Sequence, residues 1–159
     1  LSPEQVERID VDTYQAAIDL TDNDNPTHEF AAKFSTQYCL SAAFVLGRLT
    51  LSDFDEATRS DPAIRRLMGK TKLRIEPEIQ SRYPSEWRCR VSITSTSGER
   101  IEAFTASPKG DPENPLSLEE LQGKFRSMVA GTSYEGKAES LIQAVGSLEL
   151  ADGVRVLFV

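Results

Sequence analysis

The chain has 159 residues, a formal net charge of −7, 39% hydrophobic and 27% charged residues. That is enough for one domain with a real core, with an ordinary composition for a globular protein. The acidic balance argues against a nucleic-acid surface, which needs a basic patch, and no apolar run reaches the ~18 residues of a membrane span. With no signal peptide visible, a cytoplasmic setting is expected, with neither nucleic acid nor membrane as partner. Leu1 is not an initiator methionine, and the chain reads as a piece of something longer. Cys39 and Cys89 have no CxxC spacing and read as buried, reduced thiols.

Val6 to Tyr14, VERIDVDTY, alternates from Arg8 on, with Ile9, Val11 and Thr13 on one side. That period of two predicts a half-buried strand. The next stretch, AAIDLTDNDNPTHEF, runs from small apolar residues into an Asn/Asp-rich loop with a turn at Asn25-Pro26. Ser35 then caps a helix that starts at Thr36 and stops at Gly47. Tyr38, Cys39, Leu40, Ala42, Ala43, Phe44, Val45 and Leu46 leave it almost no polar face. Such a helix is buried on more than one side.

Ser52 is placed to cap a short turn containing Phe54, and Asp61-Pro62 to open a helix with Ile64, Leu67 and Met68 in a stripe up to Gly69. KLRIE (72–76) alternates as a strand, and Pro77 and Tyr83-Pro84 bracket a loop. Trp87 to Ser95 and Arg100 to Thr105 alternate around a four-residue loop, which is a hairpin. Ser107 to Pro115 has three prolines and a glycine, so no regular element passes through it. Ser117 and Glu120 make a capping box for a helix up to Gly131, and a last helix starts near Tyr134. The apolar end VRVLFV needs a partner surface.

The order β-α-α-β-β-β-α-α predicts an α+β fold. It has a small mixed or antiparallel sheet with helices packed on one face, followed by a two-helix C-terminal tail. The first strand, central helix and second strand form a crossover.

Chemistry concentrates at the front of the central helix, Lys33-Phe34-Ser35-x-x-Tyr38. A helix N-terminus carries unpaired N–H groups and about half a positive charge, which suits a carboxylate or phosphate. Lys33 adds a full charge and Tyr38 a donor or acid. Plain capping, a surface lysine and a core tyrosine explain the same residues. His28 is the only histidine and reads as a loop residue. The carboxylates are scattered, so no metal and no cofactor is expected. Lys109 sits near Gly110 in the proline-rich segment, as a substrate contact or as part of a rigid linker. Arg65, Arg66, Arg88 and Arg90 read as solvated faces.

FSTQY at the head of the central helix, DPAIRRLM, and KGDPENP before a capped helix with Lys124-Phe125 together resemble the C-terminal part of the MmgE/PrpD family. The resemblance implies a two-domain enzyme of small di- or tricarboxylates. Its chemistry is proton abstraction next to a carboxylate, ending in dehydration, decarboxylation or epimerisation, with dehydration first among them. It implies that residues 1–115 are an α+β lid and 116–159 the start of a helical return. A large N-terminal helical domain would supply most of the catalytic side chains; it lies outside these 159 residues, and without it the chain is expected to be inactive. Carried over by position, Tyr38 would orient or protonate the substrate, and Lys33 and Ser35 would bind it, with Lys109 of the proline-rich segment as a further candidate contact. A homodimer is expected. The alternative is a non-catalytic ligand-binding or dimerisation module, which the apolar tail suggests.

Overall fold

Alternation along VERIDVDT puts Ile9 and Val11 on one side of a strand and Asp10 and Asp12 on the other. All four are buried, because this strand, β1 (Val6–Thr13), lies inside the sheet. The structure, a computed structural model, describes residues 1–150 and 153–157. The chain forms two compact units, Leu1–Asn114 and Pro115–Val159.

In the first unit β1 is followed by α1 (Gln15–Thr21), α2 (Glu29–Lys33), α3 (Thr36–Leu46), α4 (Glu56–Arg59) and α5 (Pro62–Lys70). Then come β2 (Thr71–Ile75), α6 (Pro77–Arg82), β3 (Cys89–Ser95) and β4 (Arg100–Thr105). The sheet order is β2-β1-β3-β4. The crossover makes β1 and β2 parallel, with Ile9 opposite Thr71. The β3–β4 hairpin is antiparallel, with Ile93 opposite Ile101, and β3 also runs antiparallel to β1, with Ile9 opposite Ile93. The fold is therefore α+β with a mixed sheet.

Helix α3 is buried on two sides. Leu40, Phe44 and Val45 pack with Leu67 of α5 over Val6, Ile9 and Val11 of β1. Tyr38 and Ala42 pack with Ala32, Phe54, Ile64 and Met68. The other face of the sheet is a layer of ion pairs. Asp12 accepts from Arg74 at 2.5 Å and lies 3.7 Å from Arg90, and Asp10 accepts from Arg8 at 2.7 Å. Arg90 reaches Glu102 at 3.4 Å and lies over the Phe104 ring. The two nearly buried aspartates persist because each is paired with arginine. Arg88 donates to Glu86 at 2.5 Å, so Arg88 and Arg90, expected as solvated, are both engaged side chains. Arg65 and Arg66 also have partners, Asn25 at 2.6 Å and Glu4 at 2.9 Å.

Several local expectations differ from the structure. Residues 15–21 and 29–33 are helical, and α2 is capped by His28, whose Nδ1 accepts from the Ala31 N–H. Residues 77–82 form a helix because Glu76 caps it and Pro77 occupies its first turn, where a missing N–H costs nothing. The turn at Leu51–Phe54 is capped by Thr50 with Asp53, not by Ser52. Helix α5 runs one residue beyond Gly69.

The second unit holds α7 (Leu118–Val129), with the Ser117/Glu120 capping box, and α8 (Ala138–Gly146), which a 3-10 turn at Glu135–Lys137 precedes. Arg126 clasps Glu139 with two bonds of 2.6 and 3.0 Å, tying the helices together. Between them an apolar groove of ≈ 380 Å³ is lined by Leu121, Phe125, Met128, Ile142 and Val145, among others. Docking of the 154–159 end falls on residues whose side chains, from 156 on, lie outside those described. Among the described residues no helix is long and apolar enough to cross a membrane.

Candidate functional site

The front of α3 is where charged and hydroxyl side chains meet a concave surface. Ser35 accepts from the Tyr38 N–H at 3.0 Å, capping the helix, and donates to the Asn23 carbonyl at 2.5 Å. Thr36 shares a 2.7 Å hydrogen bond with Thr21, and the Gln37 amide donates to Asp22. The loop after α1 is thereby stitched to the first turn of α3. A Ser35→Ala chain is expected to lose about 1–2 kcal/mol, because the cap is lost and the Asn23 carbonyl loses its donor. Urea unfolding measures this as a lower midpoint at unchanged slope, and an unchanged midpoint would count against it.

Beside this turn lies a cavity of ≈ 370 Å³. Its polar lining comes from Thr21, Lys33, Ser35 and Thr36. Its apolar lining comes from Cys39, Leu40 and Ala43 of α3, Val11 of β1, and Cys89 and Val91 of β3. Positions 36, 39, 40 and 43 share one face of a helix, whereas 38 and 42 fall on the opposite face. So the cavity and the Tyr38 cluster occupy the two sides of the same helix.

Lys33 lines the cavity, and its ammonium bonds Glu29 at 2.7 Å and lies 5.7 Å from the Phe54 ring centre. Ser35 lines the cavity with its hydroxyl engaged as donor and acceptor. Tyr38 is fully buried, and its hydroxyl donates to the Asp53 carbonyl. It is not among the lining residues. Burial, more than any other influence, pushes the Tyr38 phenol up to about 12. Lys109 lies beyond β4 in the turn-rich segment and is not among the lining residues either. The structure therefore brings Lys33 and Ser35 to one cavity and leaves Tyr38 and Lys109 outside it.

Sequence reasoning missed Thr21, Thr36, Cys39 and Cys89 as lining residues. The 36/39/40/43 spacing was readable, but a helix apolar all round offers no single face to choose. Thr21 lies in a stretch read as entering a loop. Burial raises both thiols above the ordinary cysteine value, with Asp12 adding to the effect at Cys89. These thiols are protonated at neutral pH and poor nucleophiles. Among the described residues no group of three metal-binding side chains gathers.

A cavity of this size, with an apolar body, hydroxyl side chains at one end and the Lys33 side chain on its wall, suits a small molecule with a polar end. The sequence pattern of the MmgE/PrpD C-terminal domain matches residues 1–150. The chain belongs to the MmgE/PrpD family. Two curated relatives of this MmgE/PrpD domain are cis-aconitate decarboxylases, from Mus musculus and Homo sapiens. Each is 30% identical over 132 residues, covering 83% of this chain and 27% of the relative. The chain thus spans about a quarter of the length of the curated relatives it matches, within a family that includes lyases.

Proposed function

We propose that the chain is the lid-type domain of an MmgE/PrpD-like lyase or isomerase that acts on a small di- or tricarboxylate. The reaction is proton abstraction next to a carboxylate, followed by loss of water, loss of carbon dioxide or epimerisation. The observation that carries this reading is the coincidence of the family match with a cavity at the capped start of α3. Lys33 and the first-turn N–H groups of α3 hold one substrate carboxylate. The Lys33–Glu29 pair is an exposed i,i+4 contact, of the kind that contributes little and exchanges readily. A dianion or trianion therefore displaces Glu29 at small cost. Tyr38 serves by position: its bond to the Asp53 carbonyl holds α3 against the 51–54 turn. The remaining catalytic groups come from a helical portion outside these residues, so the chain alone is inactive. Lys109 meets the far end of the substrate when that portion is present.

The test compares this chain with a longer polypeptide that carries the coding sequence upstream of Leu1. A panel of di- and tricarboxylates, cis-aconitate first, is assayed with both. Turnover is expected only from the longer polypeptide, with kcat/KM about tenfold lower in Lys33→Gln, the loss of one charge-assisted contact. If the longer polypeptide turns over none of the panel, the proposal fails. If turnover occurs and Lys33→Gln leaves it unchanged, the carboxylate site lies elsewhere.

A further inference from the structure

The cavity beside the start of α3 has an inner wall of its own. Val11 of β1, Leu40 and Ala43 of α3, and Val91 of β3 supply hydrocarbon, while Cys39 and Cys89 supply thiols that burial keeps protonated. Lys33 is the one charged side chain that lines the cavity among the described residues. Along α3 the wall extends from Thr36 to Ala43, about 10 Å at the usual helical rise. Ala43 is the smallest side chain on that wall and marks its far end.

The hydroxyls at the other end have already used their hydrogens. Ser35 donates to the Asn23 carbonyl at 2.5 Å. Thr21 donates to the Ala17 carbonyl at 2.7 Å, so its 2.7 Å bond with Thr36 takes its hydrogen from Thr36. The Cys39 thiol donates to the Ala32 carbonyl at 3.6 Å. A hydroxyl has one hydrogen and two acceptor lone pairs, so Ser35, Thr21 and Thr36 offer a ligand acceptors only. An ionised carboxylate also only accepts. It finds no hydroxyl donor inside, and an unpaired charge is costly to bury, whereas each buried methylene of an uncharged chain is a gain.

Resting on the carboxylate site proposed above, we infer that the cavity receives the uncharged carbon arm of the substrate and that Ala43 sets how long that arm can be. One carboxylate stays with the exposed Lys33, the arm lies along Cys39, Leu40 and Val91, and any further carboxylate points away from the inner wall. Selection works by exclusion. A second carboxylate at the tip of the arm would lie among Val11, Val91 and two protonated thiols without a partner. A hydroxyl on the arm is tolerated, because it can donate to Thr36.

An NMR titration of this 159-residue chain with acetate, butyrate, hexanoate and the dicarboxylate adipate tests it. The expected result is a set of shifts at Cys39, Ala43 and Val91, with an affinity that rises at least about tenfold from acetate to hexanoate. Adipate has the carbon count of hexanoate with a second charge at the far end, and is expected to bind at least about tenfold more weakly. Ala43→Leu is expected to remove the gain from chain length, lowering hexanoate affinity about tenfold. Far-UV circular dichroism checks that the variant is folded; if it is not, Ala43→Val takes its place. Adipate binding as tightly as hexanoate, hexanoate binding untouched by the variant, or no shifts at the lining residues would each overturn the inference. The longer polypeptide separates this failure from that of the reading beneath it. Polycarboxylate turnover without selection for an uncharged arm sinks the inference alone. Selective hexanoate binding with no turnover of any polycarboxylate sinks the lid reading and leaves the cavity as a site for aliphatic monocarboxylates.

Discussion

Leu67→Ala is expected to lower the stability of the first unit by about 3 kcal/mol, within the 2–5 kcal/mol span of fully buried leucine truncations. Leu67 has no exposed surface and packs beneath Val6, Ile9 and Val11, while Leu40, Phe44 and Val45 lean on the same cluster from α3. It is the point where α5, α3 and β1 meet, so the lost carbons leave a void that three elements border and none can fill alone. Leu121→Ala is the control. Its side chain is half exposed beside the groove in the second unit, and it is expected to cost well under half as much. Denaturant midpoints of the two variants measure the contrast. Equal losses would mean that the buried cluster is not what holds the first unit.

Tyr38→Phe produces the second large effect, and pH makes it diagnostic. Near neutral pH the variant is expected to lose about 1–2 kcal/mol, because the buried Asp53 carbonyl loses its donor. The folded state holds the phenol up to about 12, whereas an unfolded tyrosine titrates near 10. Folding thus favours the protonated form. That contribution is complete below about pH 10 and disappears as pH rises from 10 through 12. Each pH unit in that window removes about 1.4 kcal/mol, or between 2 and 3 kcal/mol altogether. The parent chain is therefore expected to lose stability steeply above pH 10, and Tyr38→Phe to lose it less steeply, so the two curves meet and then cross before about pH 12. Burial also raises Tyr14, which leaves a smaller residual slope in the variant. Parallel curves would show that Tyr38 is not the group responsible. In the longer polypeptide, Tyr38→Phe separates a positioning role from a proton-donating one. Positioning moves KM and kcat modestly at every pH, whereas donation removes a limb of the pH profile.

The parts of the fold that could be read from the sequence are those with a local cause. Ser35 and Gly47 bound α3, Asp61-Pro62 opens α5, Ser117 with Glu120 opens α7, and the alternating runs around residues 96–99 make the hairpin. Each signal fits within one or two turns. The short helices α1, α2 and α6 escaped because five to seven residues carry too little periodicity to outweigh nearby Asn, Asp and Pro. Glu76 and His28 act as caps only once the chain has turned to bring the acceptor over the first turn. The cavity was harder still. Its walls come from α1, α2, α3, β1 and β3, and only the pairing of Val11 with Val91 places Cys89 across from α3. The residues at the front of α3 stand out in the sequence, but only the folded chain shows that Tyr38 turns away from the cavity Lys33 and Ser35 border.

The position of β1 in the sheet has a kinetic meaning. Among the strands of this sheet it comes first in the chain, yet Ile9 must pair with Thr71 on one side and with Ile93 on the other. Until those distant segments leave the ribosome, the apolar stripe of Val6, Ile9 and Val11 has neither backbone partner. Closing such long loops is slow and brings little reward until several contacts form together. The sheet therefore assembles late and all at once, and a chain halted before residue 95 exposes its stickiest strand.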